Sequence, residues 1–445
     1  MIKKVALVTL GCCKNEVDSE MILGFMKTKG FEITTDIYAA QVIIVNTCGF
    51  IESAKEEAIS TILDMANLKT TGVCENLIVT GCLAKRYKQE IYSNFPEVDL
   101  VIGVDEYNNI DKIFSEHFNL KEQNFCLDFN NRMISTKFPT AYLRIADGCN
   151  NNCTYCAIPL IRGGLKSRKI EDIVKEVKGL VDKGIKELVV IAQDTTSYGI
   201  DLYGKPMLYS LLKELSKLDT EWIRVLYMYP GKVNDELLSE MKNNPKICKY
   251  FDLPLQHISD NMLKAMNRHT NKAEVYTLIQ KIREEIPDAI IRTTVMTGFP
   301  GETDEDFAEL KKAILDFKFD RLGAFTYSAE EDTKAALMPN QIDEKIKTQR
   351  YDEIMKLQQE VLKVQMSKNI GKVVKVLVQD VSPDEMYFEC RSYMDSPDVD
   401  PKIYLPIDKD TSNIIIGGFY NVKITKVHGY DYICEYVEEK ELSYV

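Results

Sequence analysis

The sequence predicts an α/β protein in three parts: an N-terminal domain on a parallel sheet (residues 1–138), a partial (β/α)6 TIM-like barrel (139–366) and a small all-β barrel (367–445). Three observations lead there. Up to residue 138, apolar runs of strand length alternate with helical periodicity. The alternation then recurs more regularly up to residue 366. Beyond that point the chain changes to short strands separated by Pro, Gly, Asp and Ser.

In the first part, residues 5–10, 42–46, 77–80 and 100–103 have the apolar character of buried strands. Between the first two, Met21, Ile22, Phe25 and Met26 share one helix face, which Gly30 ends. Strands joined through helices in this way form a parallel sheet covered on both faces.

The second part has six candidate strands, at 141–145, 188–191, 223–227, 250–253, 290–295 and 322–325, with a helix after each of the first five. Ile170, Ile173, Val174, Val177, Leu180 and Val181 fall at helical spacing before Gly184, and Leu208, Leu211, Leu212 and Leu215 repeat the pattern. In such a barrel the C-terminal strand ends carry the functional residues. A long helix from 343 to 367 follows, with Ile354, Leu357, Val361 and Val364 on one face. The third part then gives strands at 373–378, 386–390, 402–405, 420–427 and 432–436, the pattern of a small barrel.

Composition narrows the function. Hydrophobic residues make up 45% and charged residues 28%, an ordinary globular balance. No apolar stretch reaches the ~20 residues that span a bilayer, and the N-terminus lacks the pattern of a signal peptide. A cytoplasmic protein without membrane contact is expected. Twelve cysteines in that compartment point to metal binding or catalysis rather than disulfides. A net charge of −12 argues against broad binding to phosphate backbones and favours a basic partner.

The stretch Asp147-Gly148-Cys149-Asn150-Asn151-Asn152-Cys153-Thr154-Tyr155-Cys156 puts three cysteines on one polar loop directly after a barrel strand. Three thiolates hold three irons of a four-iron cluster and leave the fourth open for a small chelating ligand. A zinc site needs four ligands, and no further His or Cys lies nearby in sequence to complete one. Buried structural thiols need neither this clustering nor a polar loop.

Three more cysteines follow strands of the first domain: Cys12 after 5–10, Cys48 after 42–46 and Cys82 after 77–80. The C-terminal ends of parallel strands share one rim, so these thiols can converge although distant in sequence. The alternative is three turn cysteines with no shared role. Cys13, Cys74, Cys126, Cys248, Cys390 and Cys434 have no comparable placement and are read as packing or bystander residues.

The three-then-two spacing of the loop, with Tyr155 before the last cysteine, resembles the signature of radical S-adenosylmethionine (SAM) enzymes. The resemblance implies a 4Fe–4S cluster on Cys149, Cys153 and Cys156 whose open iron SAM chelates. It places Tyr155 against the adenine, Gln193 and Gln256 on the polar parts of SAM, and the turn at Gly298 beside the adenine. The stretches Gly11-Cys12 with Lys14-Asn15 and Val17-Asp18-Ser19-Glu20, Asn46-Thr47-Cys48-Gly49-Phe50-Ile51, and Thr80-Gly81-Cys82-Leu83-Ala84 resemble the N-terminal domain of methylthiotransferases. That family joins this domain to a radical SAM barrel and a C-terminal TRAM domain, so the resemblance covers nearly the whole chain. It implies a second 4Fe–4S cluster on Cys12, Cys48 and Cys82, which supplies the sulfur. One SAM would give the methyl group, and another would be cleaved to a radical that removes hydrogen from an unactivated carbon. Cys13 stands where the family has Pro, beside an implied ligand.

Methylthiotransferases act either on tRNA adenosines or, in the RimO family, on an aspartate of the small-subunit ribosomal protein S twelve. Lys14-Asn15, Cys48-Gly49-Phe50-Ile51, Gln193-Asp194-Thr195-Thr196 and Gln256-His257-Ile258-Ser259 are similar to the ribosomal branch. The resemblance therefore implies methylthiolation of an aspartate β-carbon, with a low-potential electron donor such as flavodoxin or ferredoxin. Residues 366–445 carry nine Lys and Arg against 14 Asp and Glu, a net of −5. That suits a basic protein loop better than tRNA, which is not expected as a partner. On this reading Asp398 and Asp400 face the partner, and the acidic run at 438–441 is a solvated tail. The competing readings are a tRNA adenosine methylthiotransferase and a noncatalytic iron–sulfur electron carrier or RNA-binding adaptor.

Overall fold

The computed structural model describes residues 3–438, so of the acidic run at 438–441 only Glu438 falls within the described residues. Every residue of the strand Val42–Thr47 is buried, which a strand sustains only inside a sheet covered on both faces. It is the middle of a five-stranded parallel sheet. The strands are Lys4–Thr9 (β1), Glu32–Ile33 (β2), Val42–Thr47 (β3), Asn76–Gly81 (β4) and Leu100–Gly103 (β5), in the order β2-β1-β3-β4-β5. Ile43 and Val45 pack into one helix layer with Ile62 and Leu77. Val42 and Ile44 pack into the other with Phe25 and Phe114. The edge strand β2 was not expected, because two residues carry no readable period.

The helix Cys13–Thr28 joins this sheet to the next domain. Arg132, buried in the connecting segment, donates to the Tyr142 carbonyl at 2.6 Å, pairs with Glu176 at 2.9 Å and also pairs with Glu20 of the helix. Close by, Gly24 lies so near the connecting chain that a Cβ there would be 2.1 Å from the Asn131 carbonyl oxygen. Gly24→Ala is therefore expected to lower stability by about 1–3 kcal/mol through forced backbone displacement, measured as a reduced unfolding midpoint of the purified protein.

The second domain contains Thr140–Arg144 (β6), Ala146–Asp147 (β7), Lys166–Ser167 (β8), Glu187–Ile191 (β9), Trp222–Val225 (β10), Tyr250–Asp252 (β11), Ile290–Thr297 (β12) and Arg321–Thr326 (β13). Two parallel three-stranded sheets, β10-β9-β6 and β11-β12-β13, meet where Ile223 of β10 bridges in parallel to Ile247, ahead of β11, and the Met228 amide donates to the Asp252 carbonyl at 2.9 Å. The arc is the expected half-barrel, with a seam in its middle. Leu188, Val190, Ile223 and Phe251 face outward into the helix layer. Tyr142, Val189, Trp222 and Tyr250 face inward. The short strands β7 and β8 pair antiparallel and close the base of the loop that carries Cys149, Cys153 and Cys156. The helix Glu344–Ser367 then packs along β13 and leads to a closed barrel.

That barrel consists of Val373–Val381 (β14), Tyr387–Ser392 (β15), Ile403–Pro406 (β16), Phe419–His428 (β17) and Asp431–Tyr436 (β18), in the order β14-β15-β16-β18-β17. It does not stand apart. Its core residues Val376, Phe388 and Ile403 belong to the same apolar cluster as the inward-facing residues of the half-barrel.

The docking is polar as well as apolar. Glu187, fully buried, accepts from Thr140 Oγ1 at 2.9 Å, from Arg224 Nε at 3.2 Å and from Arg391 of β15. Arg224 reaches on to the Tyr393 and Ser392 carbonyls at 2.7 and 3.1 Å. Arg321 pairs with Asp395 at 2.8 Å.

These contacts correct the expectation for Asp400. Asp400 accepts from the Tyr250 hydroxyl and lies 3.9 Å from both Arg292 and Arg321, with its side chain 3% exposed. Asp398 accepts from the Tyr142 hydroxyl at 3.1 Å. Asp400 is thus engaged inside the domain junction and is not a partner-facing charge, whereas Asp398, although bonded to Tyr142, stays exposed. A charge count cannot distinguish a solvated acid from one engaged across a domain junction. Among the described residues, no helix is long and apolar enough to cross a membrane.

Candidate active site

All six singled-out cysteines line one cavity of about 510 Å³ at the C-terminal ends of the half-barrel strands and the N-terminal sheet. The N-terminal trio is assembled by tight turns. Gly11 has φ +90°, and a Cβ there would lie 2.6 Å from Cys48 Cβ. Gly81 has φ +100°, and a Cβ would fall 2.4 Å from the Thr47 carbonyl oxygen. Glycine at both positions lets the Cys12, Cys48 and Cys82 turns pack directly on one another. Asn15, fully buried, fixes them by donating to the Leu10 and Thr47 carbonyls at 3.0 and 3.1 Å. Cys12 lines the cavity, whereas the neighbouring Cys13 turns to the Tyr227 hydroxyl, 3.5 Å away.

The second trio is held by backbone. The Cys149 amide donates to the Gly163 carbonyl and the Cys156 amide to the Cys153 carbonyl, both at 3.1 Å. Thr154 ties the loop down through Met266 and Ala265 at 3.1 and 2.9 Å. Beneath it, Asn151 donates to Asp194 at 2.8 Å, and Lys232 pairs with Asp194 at 2.9 Å.

Each trio has a buried arginine that the sequence did not single out. Arg162 pairs with Asp18 at 2.7 Å and Asp147 at 3.1 Å, and its Nη2 is 3.7 Å from Cys82 Sγ. Arg268 Nη1 is 4.0 Å from Cys153 Sγ, and its Nη2 donates to the Pro254 carbonyl at 2.6 Å. Arg162 ends the helix Ile158–Arg162, directly after the cysteine loop. That adjacency was the only sequence signal for it.

The donor set fits an iron–sulfur group. Burial pushes the Cys82 and Cys156 thiols up to about 12 and raises Cys48 and Cys149 as well, while Arg162 opposes the shift at Cys82. These thiols stay protonated at neutral pH until a cation takes them, and sulfur-only ligation selects iron–sulfur clusters or other thiophilic metals. Among the described residues no three His, Cys, Asp or Glu side chains converge on a single metal point. A cluster has no need of such convergence, since each thiolate takes a different iron.

The expected SAM contacts divide. Gln193 and Gln256 both line the cavity, and each has a buried amide oxygen with no hydrogen-bond partner among the described residues. Buried acceptors in that state suit a polar ligand. Gln256 holds φ +70°, an uncommon backbone for glutamine. Tyr155 lines the same cavity, edge-on to Phe299 at 6.5 Å between centroids. Gly298 does not line it. Its amide donates to Glu302 at 2.7 Å, and a Cβ there would lie 2.2 Å from Lys347 Cγ. The lack of a Cβ at this turn makes room for Lys347.

Of the remaining cysteines, Cys74, Cys248, Cys390 and Cys434 are buried in apolar cores, and Cys126 is exposed.

Known proteins resemble the chain along its whole length. Family profiles match residues 143–314 (radical SAM superfamily), 4–103 (uncharacterized protein family UPF0004) and 370–437 (TRAM domain). The ribosomal protein uS12 methylthiotransferase RimO of Clostridioides difficile is 49% identical over 436 residues, 96% of this chain and 97% of the relative. The protein of the same name from Acetivibrio thermocellus is 45% identical and covers 99% of both chains. Among solved structures, the radical SAM methyltransferase TsrM of Kitasatospora setae, with cobalamin and a 4Fe–4S cluster bound, superposes with a TM-score of 0.53. It is 13% identical and covers 73% of this chain and 72% of its own, a likeness of fold alone. With near-full-length identity of this order and a radical SAM fold around the cysteine loop, the chain belongs to the RimO family of methylthiotransferases, iron–sulfur enzymes that use SAM.

Proposed function

We infer that this protein transfers a methylthio group to the β-carbon of an aspartate of ribosomal protein uS12, using two 4Fe–4S clusters. Cys149, Cys153 and Cys156 would hold one cluster, and Cys12, Cys48 and Cys82 the other. The observation that carries this reading is the single cavity lined by both trios. A substrate carbon placed there is within reach of both ends of the reaction, and alignment at short range is what the protein contributes.

When bound, the clusters and SAM supply the radical that removes hydrogen and the sulfur and methyl that replace it. The chain's own residues bind and shield. Gln193 and Gln256 offer amide oxygens to the polar groups of SAM, and Tyr155, backed by the buried Phe299, gives an aromatic surface for its adenine. Arg162 and Arg268 place positive charge beside one thiolate of each trio, which favours the ligating form. The apolar side of the cavity, including Ile158 and Met296, keeps water from a reactive carbon. A low-potential donor of the flavodoxin or ferredoxin kind would deliver electrons, and a ribosomal substrate places the enzyme in the cytoplasm.

Mass spectrometry of small-subunit proteins and tRNA nucleosides from cells lacking the enzyme tests the substrate. The expected result is uS12 without its methylthio-aspartate and unchanged tRNA. Loss of methylthioadenosine with uS12 unaltered would transfer the protein to the nucleoside branch.

A further inference from the structure

Four cationic side chains line the cavity between the cysteine trios: Lys14, Arg162, Arg268 and Arg292. Three have partners. Arg162 is held by Asp18 and Asp147, Arg292 by Asp252 at 2.9 Å, and Arg268 by the Pro254 carbonyl and Cys153. Lys14 differs. It is 7% exposed, and among the described residues its ammonium makes no ion pair or hydrogen bond. Its one neighbour of note is the face of Tyr227, with Nζ 3.0 Å from the ring centroid.

A cation–π contact favours the ammonium in this position, but a ring face is not a counter-charge and leaves the cation free to take one. The cavity's own acids cannot help, because each is engaged elsewhere. Asp194 pairs with Lys232, Asp252 with Arg292 and the Tyr227 amide, and Glu330 with Lys55 and Arg86. Apart from the Cys12 trio itself, no acid of the wall answers Lys14, whose side chain lines the space where substrate must enter, two residues after Cys12.

We propose that Lys14 binds the side-chain carboxylate of the substrate aspartate and so selects an acid over an amide at the modified position. The inference rests on the aspartate reading above and names the residue that makes the choice. A carboxylate completes the ion pair Lys14 lacks. The Tyr227 ring beneath the ammonium holds it on the cavity side, and the carboxylate's adjacent β-carbon is then fixed between the trios.

The test uses the holoenzyme and two synthetic peptides spanning the modified position of uS12, one with Asp and one with Asn there. Anaerobic fluorescence anisotropy reads binding, and iron content is measured alongside. A charge-assisted contact predicts that wild type binds the Asp peptide about tenfold to a hundredfold more tightly. Lys14→Met and Lys14→Gln are expected to bring the two affinities together, and Lys14→Arg to keep a preference for Asp. Equal affinities in wild type overturn the role of Lys14 and leave the substrate assignment standing, as does an undiminished Asp preference in the Met and Gln variants. Wild-type binding of neither peptide, with tRNA bound instead, overturns the substrate reading and this inference together.

Discussion

Replacing Cys149, Cys153 and Cys156 together by Ala is expected to remove about half of roughly eight irons per chain and to abolish SAM cleavage completely. The converse variant, with Cys12, Cys48 and Cys82 changed to Ala, should keep the other half. It should still form 5′-deoxyadenosine but give no methylthio product. The two sites have separate foundations, which is why the losses should separate. One loop is closed by the β7–β8 pair and tied to Ala265 and Met266, whereas the other trio stands on three turns of a different sheet. Iron analysis after anaerobic reconstitution and chromatography of the SAM products measure both. Full iron retention in the first variant, or methylthio product from the second, would sink the two-cluster assignment.

The second large effect is expected at Glu187, where the half-barrel meets the C-terminal barrel. Burial alone would raise its carboxyl, but Arg391, Arg224 and the Thr140 hydroxyl outweigh that and hold it down at about 2. A depressed carboxyl contributes stability above its unfolded value, and that contribution is lost as pH falls from about 4.5 towards about 2. The contribution is on the order of 3 kcal/mol. Glu187→Gln leaves two buried guanidinium groups without their counter-charge, a change that costs about 3–5 kcal/mol. Chemical unfolding of the reduced apoprotein should show this difference at pH 7, and the gap between wild type and variant should narrow steadily below pH 4.5. A gap that stays constant down to pH 2 would mean that the ion cluster is not what joins the domains.

The backbone architecture was legible because its strands are uniformly apolar runs, such as 42–46, and its helices have clean spacing, such as Ile173, Val177 and Leu180. The six cavity cysteines were legible through the close spacing of Cys149, Cys153 and Cys156 and the place of Cys12, Cys48 and Cys82 directly after strands; Gly11, Gly49, Gly81 and Gly148 stand beside four of them. What escaped has no periodic signature. Arg132, Arg162 and Glu187 act through partners far away in sequence. Lys14 was visible only as a letter in a motif, because its isolation from every acid is a property of the folded wall. Asp400 was misplaced for the same reason: composition does not report what packs against it.

The shared interior of the half-barrel and the final barrel has a consequence for biogenesis. Tyr142, Val189, Trp222 and Tyr250 are covered in part by residues of β14 to β18. Translating the interval from Tyr142 to Tyr436 takes roughly 15–60 s at ~5–20 residues per second. Throughout it the nascent half-barrel presents an apolar inner wall to solvent and to any chaperone at the tunnel exit. The C-terminal barrel is therefore the closing element of vectorial folding rather than a detachable appendage. A chain truncated before β14 would leave that wall bare, with aggregation rather than altered substrate choice as its phenotype.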